Sequence, residues 1–201
     1  MPKIVLILSG AALATSLILL IWLVGSGYAD VFDLPLRQTL LALDPPVANR
    51  AWRFVTLLGS GLVVTVLSTV CILIFAARGQ WRTAFHIVLV MVGAVIVENT
   101  LKYVVHRQRP EEIFGHTMPP TYSFPSGHAL FAFAFYASVA SIFANHLNRT
   151  ARLALGAVAA SIIILIGASR IFLGVHYPTD VLGGYIAASL WLILVHLSYK
   201  Y

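Results

Sequence analysis

The sequence predicts an all-α, polytopic membrane protein built as a bundle of six transmembrane helices. Of its 201 residues, 60% are hydrophobic and only 10% are charged, whereas a soluble domain carries about 25% charged residues. Several uncharged stretches also match the roughly 20 helical residues that cross a hydrocarbon core of about 30 Å. No linker divides the chain, so residues 1–201 are expected to form one domain.

The six predicted helices are apolar on all sides, as expected of segments that face lipid or one another. They cover residues 4–25, 54–77, 83–104, 127–146, 151–173 and 179–199. The first could instead be a signal peptide, because Lys3 precedes it and Gly27-Tyr28-Ala29 has the small-x-small pattern of a cleavage site. Its apolar run is longer than the hydrophobic region of a usual signal peptide, which favours a retained helix.

Residues 28–53 separate the first two predicted helices and mix apolar with polar side chains. The stretch from Leu36 to Leu43 is compatible with an amphipathic helix at the membrane interface. Trp52 and Arg53 together are typical of an interfacial anchor. An ordinary connecting loop explains this composition equally well, so both interpretations remain open.

The basic residues indicate membrane topology rather than nucleic-acid binding. The net charge is +6, but the cations are scattered and flank apolar runs, so the bilayer is the expected partner and nucleic acid is not. The raw count shows no bias between the two ends. If Lys102, Arg109 and Arg170 have a role in substrate binding, they do not count as topology signals. The positive-inside rule then makes the opposite end of the bundle cytoplasmic. The basic residues at that cytoplasmic end are Lys3, Arg78, Arg82, Arg149, Arg152 and Lys200.

Three polar clusters interrupt the apolar pattern, and all three fall at one end of the predicted bundle. They are KYVVHRQRP from Lys102 to Pro110, YSFPSGH from Tyr122 to His128, and SRIFLGVHYPTD from Ser169 to Asp180. The first two follow the third predicted helix and the last follows the fifth. Odd-numbered helices end on the same side of the membrane, so the clusters converge whichever way the chain is inserted.

The cations of these clusters predict a phosphate site. Lys102, Arg109 and Arg170 bring three positive charges to the edge of the bilayer, where they are costly unless they bind an anion. Guanidinium groups pair with phosphate oxygens, and lysine adds a point charge. Ser126 and Gly127 open a predicted helix, whose N-terminal N–H groups and dipole also favour an anion.

Two histidines supply candidate groups for catalysis. Asp180 follows His176 by four residues, so its carboxylate can fix the tautomer of the ring and support a histidine nucleophile. His128 lies beside the predicted phosphate-binding turn and can protonate a leaving oxygen as a general acid. A phosphohistidine hydrolysed by water would follow. No set of Asp, Glu or His residues has metal-ligand spacing, so neither a metal nor another cofactor is expected.

The three clusters resemble the signatures of the type 2 phosphatidic acid phosphatase family of membrane lipid phosphatases. Those signatures have the forms K-x6-RP, PSGH and SR-x5-H-x3-D, and residues 102–180 contain all three in the family's order. The resemblance implies a metal-independent phosphatase with a six-helix core. It implies that His176 is the nucleophile, Asp180 its partner and His128 the acid. The implied phosphate-binding residues are Lys102, Arg109, Ser126, Gly127 and Arg170.

The motifs do not fix the leaving group. A lipid phosphate or diphosphate is expected, such as undecaprenyl diphosphate or phosphatidylglycerophosphate, because a site at the membrane boundary receives a head group while the tails stay in lipid. A lipid phosphotransferase using the same histidine and a non-catalytic protein that binds or transports phospholipid are the alternatives. The expected location is a bacterial inner membrane, with the site facing the periplasm or the cell exterior. No obligate protein partner is evident.

Two further predictions concern residues around these motifs. Glu98 lies four residues before Lys102, on the same face of the third predicted helix, and a carboxylate inside a membrane usually has a partner. Glu98 is therefore expected to orient Lys102, with a structural pairing elsewhere as the alternative. Tyr122 and Phe124 are expected to anchor the loop at the interface, and His106 and His116 to be exposed loop residues.

Overall fold

The computed structural model describes residues 2–42, 48–111 and 120–199, and those ranges contain helices but no β-strand. The helices are α1 (Lys3–Gly25), α2 (Asp30–Ala42), α3 (Ala48–Leu57), α4 (Gly61–Ala77), α5 (Trp81–Val105), α6 (Gly127–Ala132), α7 (Ser138–Ala144), α8 (Arg149–Phe172) and α9 (Pro178–Ser198). A π-helical turn, Phe133–Ala137, joins α6 to α7.

Six helical segments are long and apolar enough to cross a membrane: Lys3–Gly25, Arg50–Ala77, Trp81–Val105, Gly127–Ala144, Arg149–Phe172 and Pro178–Ser198. The predicted all-α fold with six membrane-spanning helices is therefore confirmed. The bounds lie close to the predicted ones, except in the second segment.

The second segment begins earlier than predicted and contains a break. α3 begins at Ala48 and ends at Leu57, and α4 starts only at Gly61. Ser60 is extended and its Oγ accepts a hydrogen bond from the Val63 N–H at 3.3 Å, which caps the start of α4. The break lets α3 turn against the end of α8, where Trp52 stacks on Phe172 with ring centroids 4.5 Å apart.

Of the two interpretations of residues 28–53, the helix is correct for Asp30–Ala42, while Leu43 lies outside the described residues. The polar side chains of α2 point inward: Asp33 and Arg37 are buried. Its apolar side chains point outward, and Val31 and Phe32 are 66% and 67% exposed. This distribution is typical of a helix that rests its apolar face on a lipid surface.

Glycines allow α9 to pack tightly against the start of α6. A Cβ at Gly184 would lie only 2.8 Å from the backbone oxygen of Ser126, and one at Gly183 would overlap the ring of Phe124. Phe124 is fully buried, so the prediction that it anchors the loop at the interface is wrong. The absence of a side chain at Gly183 makes room for its ring inside the bundle. Tyr122 remains partly exposed.

Candidate active site

The three polar clusters meet at one end of the bundle, where α5 and α8 end and α6 and α9 begin. His106 ends α5 in the left-handed conformation, with φ of 52°, which turns the chain towards the site. The backbone N–H of Ser126 donates to the carbonyl of Asp180 at 2.9 Å, joining the second cluster to the third. His106 is exposed, as predicted, and His116 lies outside the described residues.

His176 and Asp180 form a buried pair where α9 begins. The Nδ1 atom of His176 lies 3.3 Å from Oδ2 of Asp180, and the two side chains are 3% and 0% exposed. Oδ2 also accepts a hydrogen bond from the backbone N–H of Tyr177 at 2.9 Å and a short one from the hydroxyl of Ser123. When Nδ1 donates its proton to this carboxylate, the lone pair of the ring lies on Nε2.

Burial lowers the pKa of His176 to about 4. The hydrogen bond and negative charge of Asp180 oppose this shift, and the charges of Arg170 and Arg109 add to it. A histidine with a pKa below its ordinary value is neutral at neutral pH. Its Nε2 lone pair is therefore available to attack an electrophile.

Arg109 lies against Nε2 of His176, the ring nitrogen that does not face Asp180. Its Nη1 lies 3.3 Å from Nε2 of His176 and donates to the carbonyl of Val175 at 3.0 Å. Its Nε and Nη2 bond to the backbone oxygen and hydroxyl of Thr121 at 2.8 and 3.0 Å. Burial lowers the pKa of Arg109, but a guanidinium keeps its charge at neutral pH. An oxygen of a phosphate group placed next to Nε2 would therefore lie within reach of Arg109.

Arg170 and Ser126 present buried polar atoms that lack partners. Arg170 is 8% exposed, and its Nη1 bonds to the hydroxyl of Thr56 at 2.6 Å. Within the described part of the chain, neither Nε of Arg170 nor the fully buried Oγ of Ser126 has a hydrogen-bond partner. Because buried polar atoms are almost always paired, each of these two donors is a candidate to bond to a bound anion.

Glu98 connects Lys102 to the start of α6. Its Oε1 lies 2.9 Å from Nζ of Lys102, with both side chains mostly buried. The same oxygen would overlap a Cβ at position 127, so only glycine fits there without displacing Glu98. Nζ of Lys102 also lies 3.4 Å from the Thr121 hydroxyl to which Arg109 is bonded. The Lys102 ammonium and the Arg109 guanidinium thus approach the site side by side.

His128 follows Gly127 in the first turn of α6 and is half-buried. Arg170, Arg109 and Lys102 lie near enough for their positive charges to act on its ring. The structure thus brings every predicted site residue to one place. In the described ranges, no three His, Cys, Asp or Glu side chains are grouped so that they could hold a metal ion.

Sequence reasoning missed three polar residues that complete the site: Thr121, Ser123 and Arg107. Thr121 links the two cations of the first cluster, and Ser123 bonds to Asp180. Arg107 bonds to Asp180 and to two aspartates of α2. The sequence indicates only that residues 28–53, which follow the first helix, lie at the same end as the three clusters; it does not indicate which of them contacts Arg107.

Comparison with known proteins gives a consistent set of relatives. A sequence model of the PAP2 superfamily matches residues 83–201. Phosphatidylglycerophosphatase B of Bacillus subtilis (strain 168) is 29% identical over 167 residues, 81% of each protein. An undecaprenyl-diphosphatase of Sulfolobus acidocaldarius is 30% identical over 126 residues, 60% of this chain and 56% of that protein.

The solved structures include a close match to the whole fold. The crystal structure of a transmembrane PAP2 type phosphatidylglycerolphosphate phosphatase from Bacillus subtilis superposes with a TM-score of 0.86 at 26% identity. The superposition covers 94% of both chains. The shared fold therefore extends well beyond the residues that the family model matches.

Proposed function

The chain belongs to the PAP2 superfamily and is a membrane lipid phosphatase, and we propose that it hydrolyses its substrate through a phosphohistidine on His176. The observation that supports this mechanism is the geometry around the ring. Asp180 lies against Nδ1, while Arg109 lies 3.3 Å from Nε2. Because the carboxylate holds the ring by Nδ1, the lone pair on Nε2 can attack a phosphorus atom. The guanidinium of Arg109 can then bind the oxygens of that phosphate group.

In the first step, Nε2 of His176 attacks phosphorus and the bond from phosphorus to the leaving oxygen breaks. His128 donates its proton to that oxygen. A lipid alcohol departs as the neutral alcohol, and a lipid monophosphate released from a diphosphate departs with one negative charge fewer. Arg109, Arg170 and Lys102 stabilise the charge on the phosphate oxygens that do not leave. The hydroxyl of Ser126 and the N-terminal N–H groups of α6 add neutral donors.

In the second step, His128 takes a proton from a water molecule that attacks the phosphohistidine. The phosphorus–nitrogen bond breaks, inorganic phosphate leaves, and His176 recovers its neutral ring. Asp180 stabilises the positive charge that the ring acquires while phosphorylated. These steps need no group beyond the side chains of the site and water.

The substrate is proposed to be phosphatidylglycerophosphate or a polyprenyl diphosphate such as undecaprenyl diphosphate. Proteins named for these two activities are similar to this chain. The apolar side chains of α2 face outward and are suited to contact with the membrane surface. This supports a lipid substrate whose head group enters the site while its tails stay in the bilayer.

A panel assay tests this proposal. Purified protein in mixed micelles is given each candidate lipid, with glycerol 3-phosphate as a control that has a phosphate but no tail. We expect release of inorganic phosphate from at least one lipid, and less from glycerol 3-phosphate, which has neither a lipid tail nor an activated leaving group. Phosphate that passes only to an added alcohol would indicate a phosphotransferase, and no release from any lipid would contradict the hydrolase proposal.

The site is proposed to face the exterior of a bacterial inner membrane, and cysteine labelling tests this. Gln108 lies beside the site, while Gln80 lies in the connection between α4 and α5 at the opposite end; both are exposed. In a Cys71→Ser background, a membrane-impermeant maleimide added to intact cells is expected to label Gln108→Cys but not Gln80→Cys. The reverse pattern would place the site in the cytoplasm.

Glu98 is proposed to orient Lys102 towards the phosphate, and Glu98→Gln tests this role. The substitution replaces a carboxylate 2.9 Å from the ammonium with a neutral amide. A hydrogen bond between charged groups contributes about 1.5–3 kcal/mol, so the KM for the lipid is expected to rise by about tenfold. The exposed Glu111 provides the matched control, Glu111→Gln. Unchanged KM and kcat in Glu98→Gln would contradict the orienting role.

A further inference from the structure

Arg107 joins three carboxylates at the edge of the site. Its Nη1 donates to Oδ1 of Asp180 at 2.9 Å, and its Nη2 donates to Asp30 and Asp33 at 2.8 Å each. Asp33 and Asp180 are fully buried, whereas Asp30 is 51% exposed. The guanidinium also lies over the ring of Tyr177, 4.0 Å from its centroid. Arg107 therefore balances the negative charges of Asp33 and Asp180, two carboxylates that have no contact with bulk water.

The contacts of Asp180 show what Arg107 does for the catalytic pair. Oδ1 of Asp180 bonds to Arg107, while Oδ2 faces Nδ1 of His176 and the backbone N–H of Tyr177. With each oxygen held by a different group, the carboxylate cannot rotate about its last bond. Loss of Arg107 would leave Oδ1 as a buried charge without its ion-pair partner. The carboxylate would then be held through Oδ2 alone, by His176, Tyr177 and Ser123, and could tilt relative to the imidazole ring.

Asp33 in turn holds Arg107. Its Oδ2 accepts hydrogen bonds from Arg107 and from the hydroxyl of Thr179, and its Oδ1 accepts from the Thr179 backbone N–H at 2.9 Å. Thr179 lies in the first turn of α9, directly before Asp180. A carboxylate at a helix N-terminus satisfies otherwise unpaired N–H groups and is favoured by the helix dipole. Asp33 therefore fixes both Arg107 and the helix turn that carries Asp180.

Asp33 reaches this place because α2 presents its polar face to the bundle. One turn later on the same face, Arg37 donates to the backbone oxygens of Gly174 and Glu111 at 3.3 and 3.2 Å. α2 is thus fastened both to the connection before α9 and to the loop after α5. Its opposite face, with Val31 and Phe32, is exposed.

We propose that Arg107 is a positioning residue for the His176–Asp180 pair, and that Asp33 of α2 holds Arg107 in place for this purpose. This inference rests on the proposed function of that pair. Arg107 does not itself contact the phosphate in this arrangement, because its two terminal nitrogens are occupied by carboxylates. The same carboxylates overcome the effect of burial and raise the pKa of Arg107 above its ordinary value, so the guanidinium stays charged.

The test compares Arg107→Gln, Arg107→Lys and Asp33→Asn with the control Arg78→Gln, which alters an exposed arginine at the opposite end of the bundle. Displacing a catalytic group by about 1 Å can cost about 100-fold in rate, so kcat of Arg107→Gln is expected to fall by about that factor. Arg107→Lys keeps the charge but not the planar fork, so it is expected to recover part of the loss. Asp33→Asn is expected to lower kcat by about tenfold.

Two further readouts separate positioning from a structural or phosphate-binding role. The inhibition constant of inorganic phosphate and the KM for the lipid are expected to change by less than about threefold, because Arg107 does not touch the anion. The unfolding temperature in detergent shows which variants are folded. If Arg107→Gln does not fold, Arg107→Lys and Asp33→Asn provide the decisive comparison.

Folded Arg107→Lys and Asp33→Asn proteins with the kcat of the wild type would overturn the inference. So would a loss of kcat accompanied by an equal loss of phosphate binding. If the wild-type protein releases no phosphate from any lipid, the proposed function fails and this inference fails with it. If the wild type is active and the variants are unaltered, only the positioning role of Arg107 is wrong.

Discussion

His176→Ala is expected to lower phosphate release from lipid by about 10⁴-fold or more, the scale of loss seen when a catalytic nucleophile is removed. No other histidine takes its place: among the described residues, His176 is the one whose ring contacts both Asp180 and Arg109. Phosphate release by purified wild-type and variant proteins, measured at saturating lipid, gives the comparison.

The control for this experiment is His146→Ala. His146 is exposed in the connection between α7 and α8, at the opposite end of the bundle, and is expected to be dispensable for turnover. A folded His176→Ala protein that kept more than about one part in a hundred of the wild-type rate would contradict a nucleophilic role.

His128→Ala is expected to have an effect that depends on the leaving group. A general acid contributes about 10²–10⁴-fold, so hydrolysis of a phosphomonoester with an alkyl alcohol as leaving group should fall by that factor. With 4-nitrophenyl phosphate the leaving phenolate needs no proton, so formation of the phosphohistidine should be nearly as fast as in the wild type. The two substrates are compared in single-turnover experiments that follow the first step alone.

An equal loss of the first step on both substrates would contradict this assignment. It would indicate that His128 binds the phosphate together with Arg170 and Arg109, whose charges act on its ring. A loss confined to the alkyl substrate assigns the proton transfer to His128.

The helices could be predicted closely from the sequence because bilayer thickness sets the length of each apolar run. The break between α3 and α4 could not be predicted from Gly59, Ser60 and Gly61, because glycine and serine are also found inside membrane-spanning helices. Only the capping hydrogen bond of Ser60 to Val63 distinguishes a new helix start here. The sequence alone favours an interfacial position for Phe124, because aromatic residues beside loops are common there, but the missing side chain at Gly183 makes room for its ring inside the bundle.

The candidate site could be assembled from the sequence where its residues lie in short motifs and the parity of the helices brings those motifs together. Arg107 could not be identified in this way, since Asp33 lies 74 residues away and no local pattern marks the pair. Ser123 was missed for the same reason, because its partner Asp180 is 57 residues distant. Arg107 and Ser123 lie within two of the clusters but at positions that the signatures do not specify, and their contacts arise from tertiary packing.

If the phosphoryl group is transferred to His176 before it reaches water, the phosphorylated protein can be trapped chemically. Wild-type protein and His128→Ala are mixed with 4-nitrophenyl [³²P]phosphate and quenched in alkali, in which phosphohistidine is stable. Since His128 is proposed to activate the water of the second step, the labelled protein should accumulate further in the variant. We expect label on the peptide that contains His176, followed by its conversion to inorganic phosphate. Turnover without any labelled protein, or label on another residue, would contradict transfer to His176.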